Sequence, residues 1–327
     1  MTAGGARRLA VIAALTLAVS GCGQQAEPKA PPVTAPSPKS ARGDCGELRI
    51  AYDPRNGYEA SAFIIGALAR SELECDVRYV RTTSRKAWRV VARGEADVYL
   101  DAYGSPDLVE TLTARDGPVT VLGPNGIQGG VDLLAPFFME DDGIESARDL
   151  EDLPAGYFRN VTPVISTVPR LLPLAQSFIE FQRLDFVAED YTLAHPDAGM
   201  GDLLQAPALN DRAGNAAFFL VEAPRTFLGD GAGRLSIEIP GSAAGPCVPT
   251  PAATLCSLGD FEYTKIVNSK FADSRNPAYN LVYNYRLPAA QAATILDLVR
   301  LSGMDVGEAD VVSWINTHED MWKRWLK

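Results

Sequence analysis

Histidine is nearly absent from these 327 residues: His195 and His318 are the two it has. That scarcity removes most hydrolytic chemistry, because neither histidine has a nucleophile at a recognised spacing and there is no Gly-x-Ser-x-Gly elbow or His-Glu-x-x-His pair. His195 stands next to Pro196 in an expected loop and His318 in an expected C-terminal helix, where both read as surface or satisfied residues. Acid pairs such as Asp97 and Asp101 can do acid-base work, but strand-end carboxylates more often anchor turns. The chain reads as a non-enzyme. Basic residues are also in deficit: 30 Lys and Arg against 41 Asp and Glu leave a net charge of −11. A phosphate-binding surface needs clustered cations, so nucleic acid is not an expected partner. With five cysteines, none closely paired, and two histidines, no metal site and no cofactor are expected. The glycine-rich stretch 123–130 fits neither the Walker pattern nor a GxGxxG opening a helix.

What is present begins with a 46% hydrophobic content, enough for two compact cores in a chain longer than one ordinary domain. Residues 1–22 read as a lipoprotein signal peptide: Arg7 and Arg8, then an apolar run at 9–19 too short to span a bilayer, then Val19-Ser20-Gly21-Cys22. Small residues before a cysteine match the bacterial lipobox, so Cys22 is the expected lipidation site and the mature protein an exported, membrane-anchored one facing the periplasm or cell exterior. Residues 23–44, with five prolines and no periodicity, read as a tether. Four cysteines remain, and four allow three pairings. Cys45 and Cys75 each lie just before an expected strand; if those strands are parallel neighbours, Cys45–Cys75 is the natural bridge, and Cys247–Cys256 then closes a proline-containing loop.

Along the chain, strands are expected at 47–52, 77–80 and 96–100, with helices at 59–71 and 84–93 between them. This alternation predicts βαβ units and a parallel sheet, hence an α/β protein. The third strand ends in Asp101-Ala102-Tyr103 before a Gly-Ser-Pro turn, and the carboxyl end of a strand in an open α/β sheet is where ligands bind. Further on, strands are expected at 119–122, 131–135, 216–221 and 235–239, a short helix at 144–153 and others at 174–183 and 288–302. Asp305 is expected to cap the last helix, with Glu308 three residues on. Trp314, Trp322 and Trp325, at the chain terminus, are expected in the core.

Residues 50–60, 88–106, 123–150, 238–256, 265–272 and 311–326, taken in order and spacing, resemble the substrate-binding proteins of ABC importers for glycine betaine, proline and choline. The resemblance implies a type II periplasmic-binding fold: two α/β lobes joined by two hinge strands, closing on a small ligand in the cleft between them. On that reading residues 45–130 and 241–327 make lobe one and 131–240 lobe two. The partners it implies are a small-molecule ligand and importer permease subunits, with the membrane reached through the N-terminal lipid and the body a monomer.

Family members cage a quaternary ammonium cation in aromatic rings, usually tryptophan. Here the corresponding positions read Arg55-Asn56-Gly57-Tyr58, Tyr103-Gly104-Ser105-Pro106, Leu133-Leu134-Ala135-Pro136 and Pro224-Arg225-Thr226. The candidate ligand residues are therefore Tyr103, Arg55, Asn56, Tyr58, Asp101, Leu133, Arg225 and Thr226. Two ligand classes stay open. A cation is one, with Tyr58, Tyr99 or Tyr157 rebuilding the cage. An anionic or polar molecule held by Arg55 and Arg225 through forked hydrogen bonds is the other. A ligand-sensing lipoprotein without a transporter is a third reading.

Overall fold

The computed structural model describes residues 44–327 except 55–58, 104–105, 115, 155, 160, 197, 199, 229–232, 238–260 and 302–305. The expected leader, nearly all of the tether, Cys247 and Cys256 lie outside the described residues.

Among the described residues, nine strands form one mixed sheet: β1 (Glu47–Tyr52), β2 (Asp76–Arg81), β3 (Val98–Ala102), β4 (Val119–Pro136), β5 (Val164–Thr167), β6 (Val187–Asp190), β7 (Phe218–Pro224), β8 (Arg234–Ile237) and β9 (Phe261–Asn268). Their order is β2-β1-β3-β9-β4-β7-β5-β6, with β8 also on β4. β1 pairs in parallel with both β2 and β3, as the alternating pattern predicts. The connecting helix α1 (Glu59–Leu73) is buried along most of its length, which explains its Ala-, Ile- and Leu-rich sequence. Cys45 and Cys75 are disulfide-bonded, their Cα atoms 4.8 Å apart, because the parallel register sets Glu47 beside Asp76. Helix α2 (Ser84–Ala92) starts where Asp53, at the exit of β1, accepts hydrogen bonds from the Ser84 amide (2.6 Å) and hydroxyl (2.9 Å). Gly94, at φ +70°, then turns the chain out of the helix toward β3.

The two strands expected at 119–122 and 131–135 are one. β4 runs unbroken through the glycine-rich stretch, absorbing it as register shifts, with Gly123 and Gly126 at positive φ. Its first part pairs with β9 and its second with β7 and β8, so β4 belongs to both halves of the sheet. β9 lies between β3 and the first part of β4 and pairs antiparallel with both.

Three local expectations need correction. Residues 144–153 form turns and not a helix: Asp149 accepts from the Ser146 amide and hydroxyl and from the Glu145 amide, closing a local loop that only resembles a helix cap. The 216–221 strand starts later and runs Phe218–Pro224. The helix Glu308–Thr317 opens at Gly307, whose amide donates to Asp310, while Glu308 holds Arg70 and Tyr79; Asp305 lies outside the described residues. Trp314, Trp322 and Trp325 are buried, as expected of core residues.

Candidate functional site

The site is built where the carboxyl end of β3 meets β9 and β4. Tyr103 follows β3 directly and is 38% exposed, unusual for a ring on an otherwise buried strand. Its ring stacks on Phe261 with centroids 3.8 Å apart, and Tyr263 closes the cluster, 6.3 Å from Tyr103 and 5.0 Å from Phe261. Phe261 opens β9 opposite Gly129 of β4, and a Cβ at Gly129 would come within 2.3 Å of the Phe261 ring. The glycine is what lets the ring lie against the strand.

On the other half of the sheet, Glu222 of β7 is opposite Val131, two residues on from Gly129. Directly opposed residues share a face and alternate residues along a strand share it too, so Glu222 stands on the same face as Phe261. Glu222 is 7% exposed and paired with Arg170, which follows β5. Burial raises the Tyr103 phenol above its ordinary range, the Glu222 charge adds to that, and Arg170 opposes it. The Tyr103 ring thus sits within the field of an ion pair from the far half of the sheet, whose carboxylate is buried and whose guanidinium is exposed.

Arg225 occupies the opposite face. Its guanidinium lies over Gly130 and donates to Asp132 at 2.9 Å, and Ser236 of β8 donates to the other Asp132 oxygen at 3.1 Å. Gly130 and Asp132 alternate with Gly129 and Val131, so Arg225 does not share a face with Tyr103. Leu133 is fully buried between β7 and β8, and Thr226 lies in the short 3-10 turn Arg225–Phe227. Asp101 is 3% exposed, behind Tyr103, and accepts from the Asn125 amide nitrogen at 2.9 Å. Arg55, Asn56 and Tyr58 lie outside the described residues. The structure therefore gathers Tyr103 and Asp101 at one strand end, and sets Leu133, Arg225 and Thr226 into the other half.

Of the tyrosines that could replace a cage ring, Tyr99 is 1% exposed within β3. Tyr157 donates to Asp142 and lines a cavity of about 440 Å³ together with Pro163, Val164, Ala216 and Ala217, at the amino ends of β5 and β7. The amino end of β7, at Phe218, is roughly 13 Å from Glu222, at about 3.3 Å per strand residue. The residues missed by sequence reasoning are Phe261, Tyr263, Glu222 and Arg170. For the first two a signal existed: Phe261, Tyr263, Lys265 and Val267 alternate as one face of a strand.

Comparison with known proteins gives this geometry a context. Residues 46–168 match the family described as the substrate binding domain of ABC-type glycine betaine transport systems. None of the curated proteins matches the sequence. Among solved structures, lactococcal OpuAC in a closed, liganded conformation complexed with glycine betaine superposes with a TM-score of 0.63 at 15% identity, over 86% of this chain and 100% of that one. The glycine/betaine/L-proline-binding protein ProX from Borrelia burgdorferi gives 0.62 at 12% identity, over 86% and 97%. An ABC-transporter choline binding protein in complex with choline gives 0.61 at 13%, over 86% and 92%. At these identities the likeness is one of fold: the type II periplasmic-binding architecture.

Proposed function

We propose that this chain, which over residues 46–168 belongs to the family of substrate binding domains of ABC-type glycine betaine transport systems, is the lipid-anchored solute-binding protein of an importer and captures a small quaternary-ammonium cation or zwitterion. Members of this family bind and deliver and are not enzymes. The body, a monomer held through Cys22 on the outer side of a membrane, offers its ligand to permease subunits. Residues 45–130 and 241–327 act as one lobe and 131–240 as the other, with the ligand held where they meet.

The observation that carries the ligand class is the wall made by Tyr103 stacked on Phe261 beside the buried Glu222 carboxylate. Ring faces carry negative charge and attract a cation, at about 0.5–2 kcal/mol per contact depending on desolvation, and a carboxylate on the same side adds to it. The anionic alternative draws on Arg55 and Arg225. It is the weaker reading, because Arg225 stands on the face away from Tyr103.

Thermal unfolding of the full chain in detergent, against glycine betaine, choline, carnitine, amino acids and small organic acids, tests both. A ligand at a hundred times its dissociation constant adds about 2.7 kcal/mol of stability. Choline or glycine betaine is expected to raise the melting temperature and Tyr103→Ala to remove the rise. A shift with organic acids and none with the cations would overturn the assignment in favour of the anion.

A further inference from the structure

Behind the wall, Glu59 and Asp101 are the two most deeply buried carboxyls among the described residues, 1% and 3% exposed. Glu59 is the first residue of α1, and neither of its carboxyl oxygens has a hydrogen-bond partner among the described residues. The amides of Glu59 and Val306 lie near it without reaching hydrogen-bond geometry. Asp101 accepts from Asn125 and is hydrogen-bonded to Ser61, whose hydroxyl is within 2.9 Å of the Tyr285 hydroxyl.

Among the described residues the surroundings supply no counter-charge. Asp53, at the exit of β1, adds its charge to that of Asp101 in acting on Glu59. Tyr99, from β3, and Tyr285, after the helix Ala278–Asn284, feel Asp101 and are themselves acids held above their ordinary range by burial. The described cations on the packed elements are engaged elsewhere. Lys265 of β9 donates to the Tyr283 and Tyr285 carbonyls, Arg170 pairs with Glu222, and Arg70 is held by Glu308 and shares that carboxylate with Tyr79. Arg70 is in any case eleven residues along α1 from Glu59, roughly 16 Å at 1.5 Å per residue. Removing an ionised carboxylate from water with no opposite charge costs far more than removing the neutral acid. Both carboxyls are accordingly pushed up to about 8, burial being the main cause for each.

We propose that Glu59 and Asp101 form a proton-holding pair behind the ligand-presenting end of β3, so that the edge carrying Tyr103 is fully formed while the pair is un-ionised and loosens as the surroundings turn alkaline. The folded protein keeps two protons that the unfolded chain releases in the ordinary carboxylate range. Stability from this source is therefore greatest at low pH, falls as pH rises toward about 8, and is lost above it. An exported protein meets the pH of its surroundings directly, which makes the edge responsive to them.

The test uses no ligand, so its outcome is independent of the transport reading. Melting temperature of the full chain in detergent is followed from pH 5 to 9 for the parent, Glu59→Gln and Asp101→Asn. Amide exchange across residues 98–103, corrected for intrinsic rates, is measured at both ends of the range. The parent is expected to lose melting temperature and exchange protection at 98–103 with rising pH, and Glu59→Gln to lose about half of that pH dependence while melting higher than the parent at pH 9. A Glu59→Gln profile that parallels the parent's overturns the proposal. Should Asp101→Asn not fold, the carbon-13 resonance of the Glu59 carboxyl in the parent decides instead. A midpoint near 8 sustains the pair, and one in the ordinary carboxylate range removes it.

Discussion

Lys265 shows how far one residue can tie together segments distant in sequence. It is 2% exposed on β9, and its ammonium donates to the carbonyls of Tyr283 and Tyr285, each at 2.6 Å. Burial lowers its pKa to about 7, with the nearby Arg286 charge adding a smaller push. Between about 7 and the ordinary lysine range the unfolded chain binds the proton more readily than the folded one, so this group makes stability rise with pH there, opposite in sign to the buried acids. Lys265→Met removes the donor and strands two buried carbonyls; since bonds to charged groups contribute about 1.5–3 kcal/mol, urea unfolding at pH 7 is expected to show a loss of about 2–4 kcal/mol. An unchanged midpoint would mean that water replaces the ammonium. In sequence Lys265 read only as part of a family-like stretch, because a lysine at an inward strand position interrupts the apolar alternation that marks a strand. Phe261 and Tyr263 were hidden with it.

Among the elements, those fixed by neighbours in sequence were the legible ones. The β1-α1-β2 unit follows from local periodicity and from cysteines placed before two parallel strands. The bridge closes a 30-residue separation, for which the chain-entropy relation gives about 3–4 kcal/mol, so reduction or a Cys45→Ser, Cys75→Ser pair is expected to lower stability by that amount in urea. The helix Met200–Ala213 stayed hidden because Pro207 stands inside it, a residue that normally breaks one. The unbroken passage of β4 through 123–130 was equally invisible, since so many glycines read as a loop. Gly126 is required there for a reason only the fold supplies. It sits at φ +92°, and a Cβ would come within 1.9 Å of the Leu287 carbonyl oxygen. That backbone cannot withdraw freely, because the Leu287 amide donates to the Asn125 carbonyl at 2.8 Å. Gly126→Ala combines a disfavoured φ with a backbone clash and is expected to cost about 2–4 kcal/mol, read as a lowered urea midpoint with an unchanged slope.

For the whole molecule, the consequence of the unbroken β4 is that the halves of the sheet share one continuous piece of it at Gly129 and Gly130, where β9 ends its pairing and β7 begins. Tyr103 and Phe261 reach this junction from one half, Glu222 and Arg170 from the other. A ligand seated on the Tyr103 ring and within the Glu222 field touches both halves, and a ligand shifts a conformational equilibrium by no more than its difference in affinity for the two states. Closure is therefore the expected response, as a hinge about β4. Small-angle scattering of the full chain in detergent, with the micelle contrast-matched, is expected to show a smaller radius of gyration with saturating choline or glycine betaine than without. Phe261→Ala removes the ring against which Tyr103 stacks, and is expected to weaken binding by about three- to thirtyfold, for a lost contact of about 0.5–2 kcal/mol, while restoring the compaction once ligand is raised to match. Glu222→Gln takes away the far half's carboxylate, so at matched occupancy the compaction itself is expected to shrink. Binding with no change in radius in the parent chain would place the whole ligand in one half and leave Glu222 outside the site.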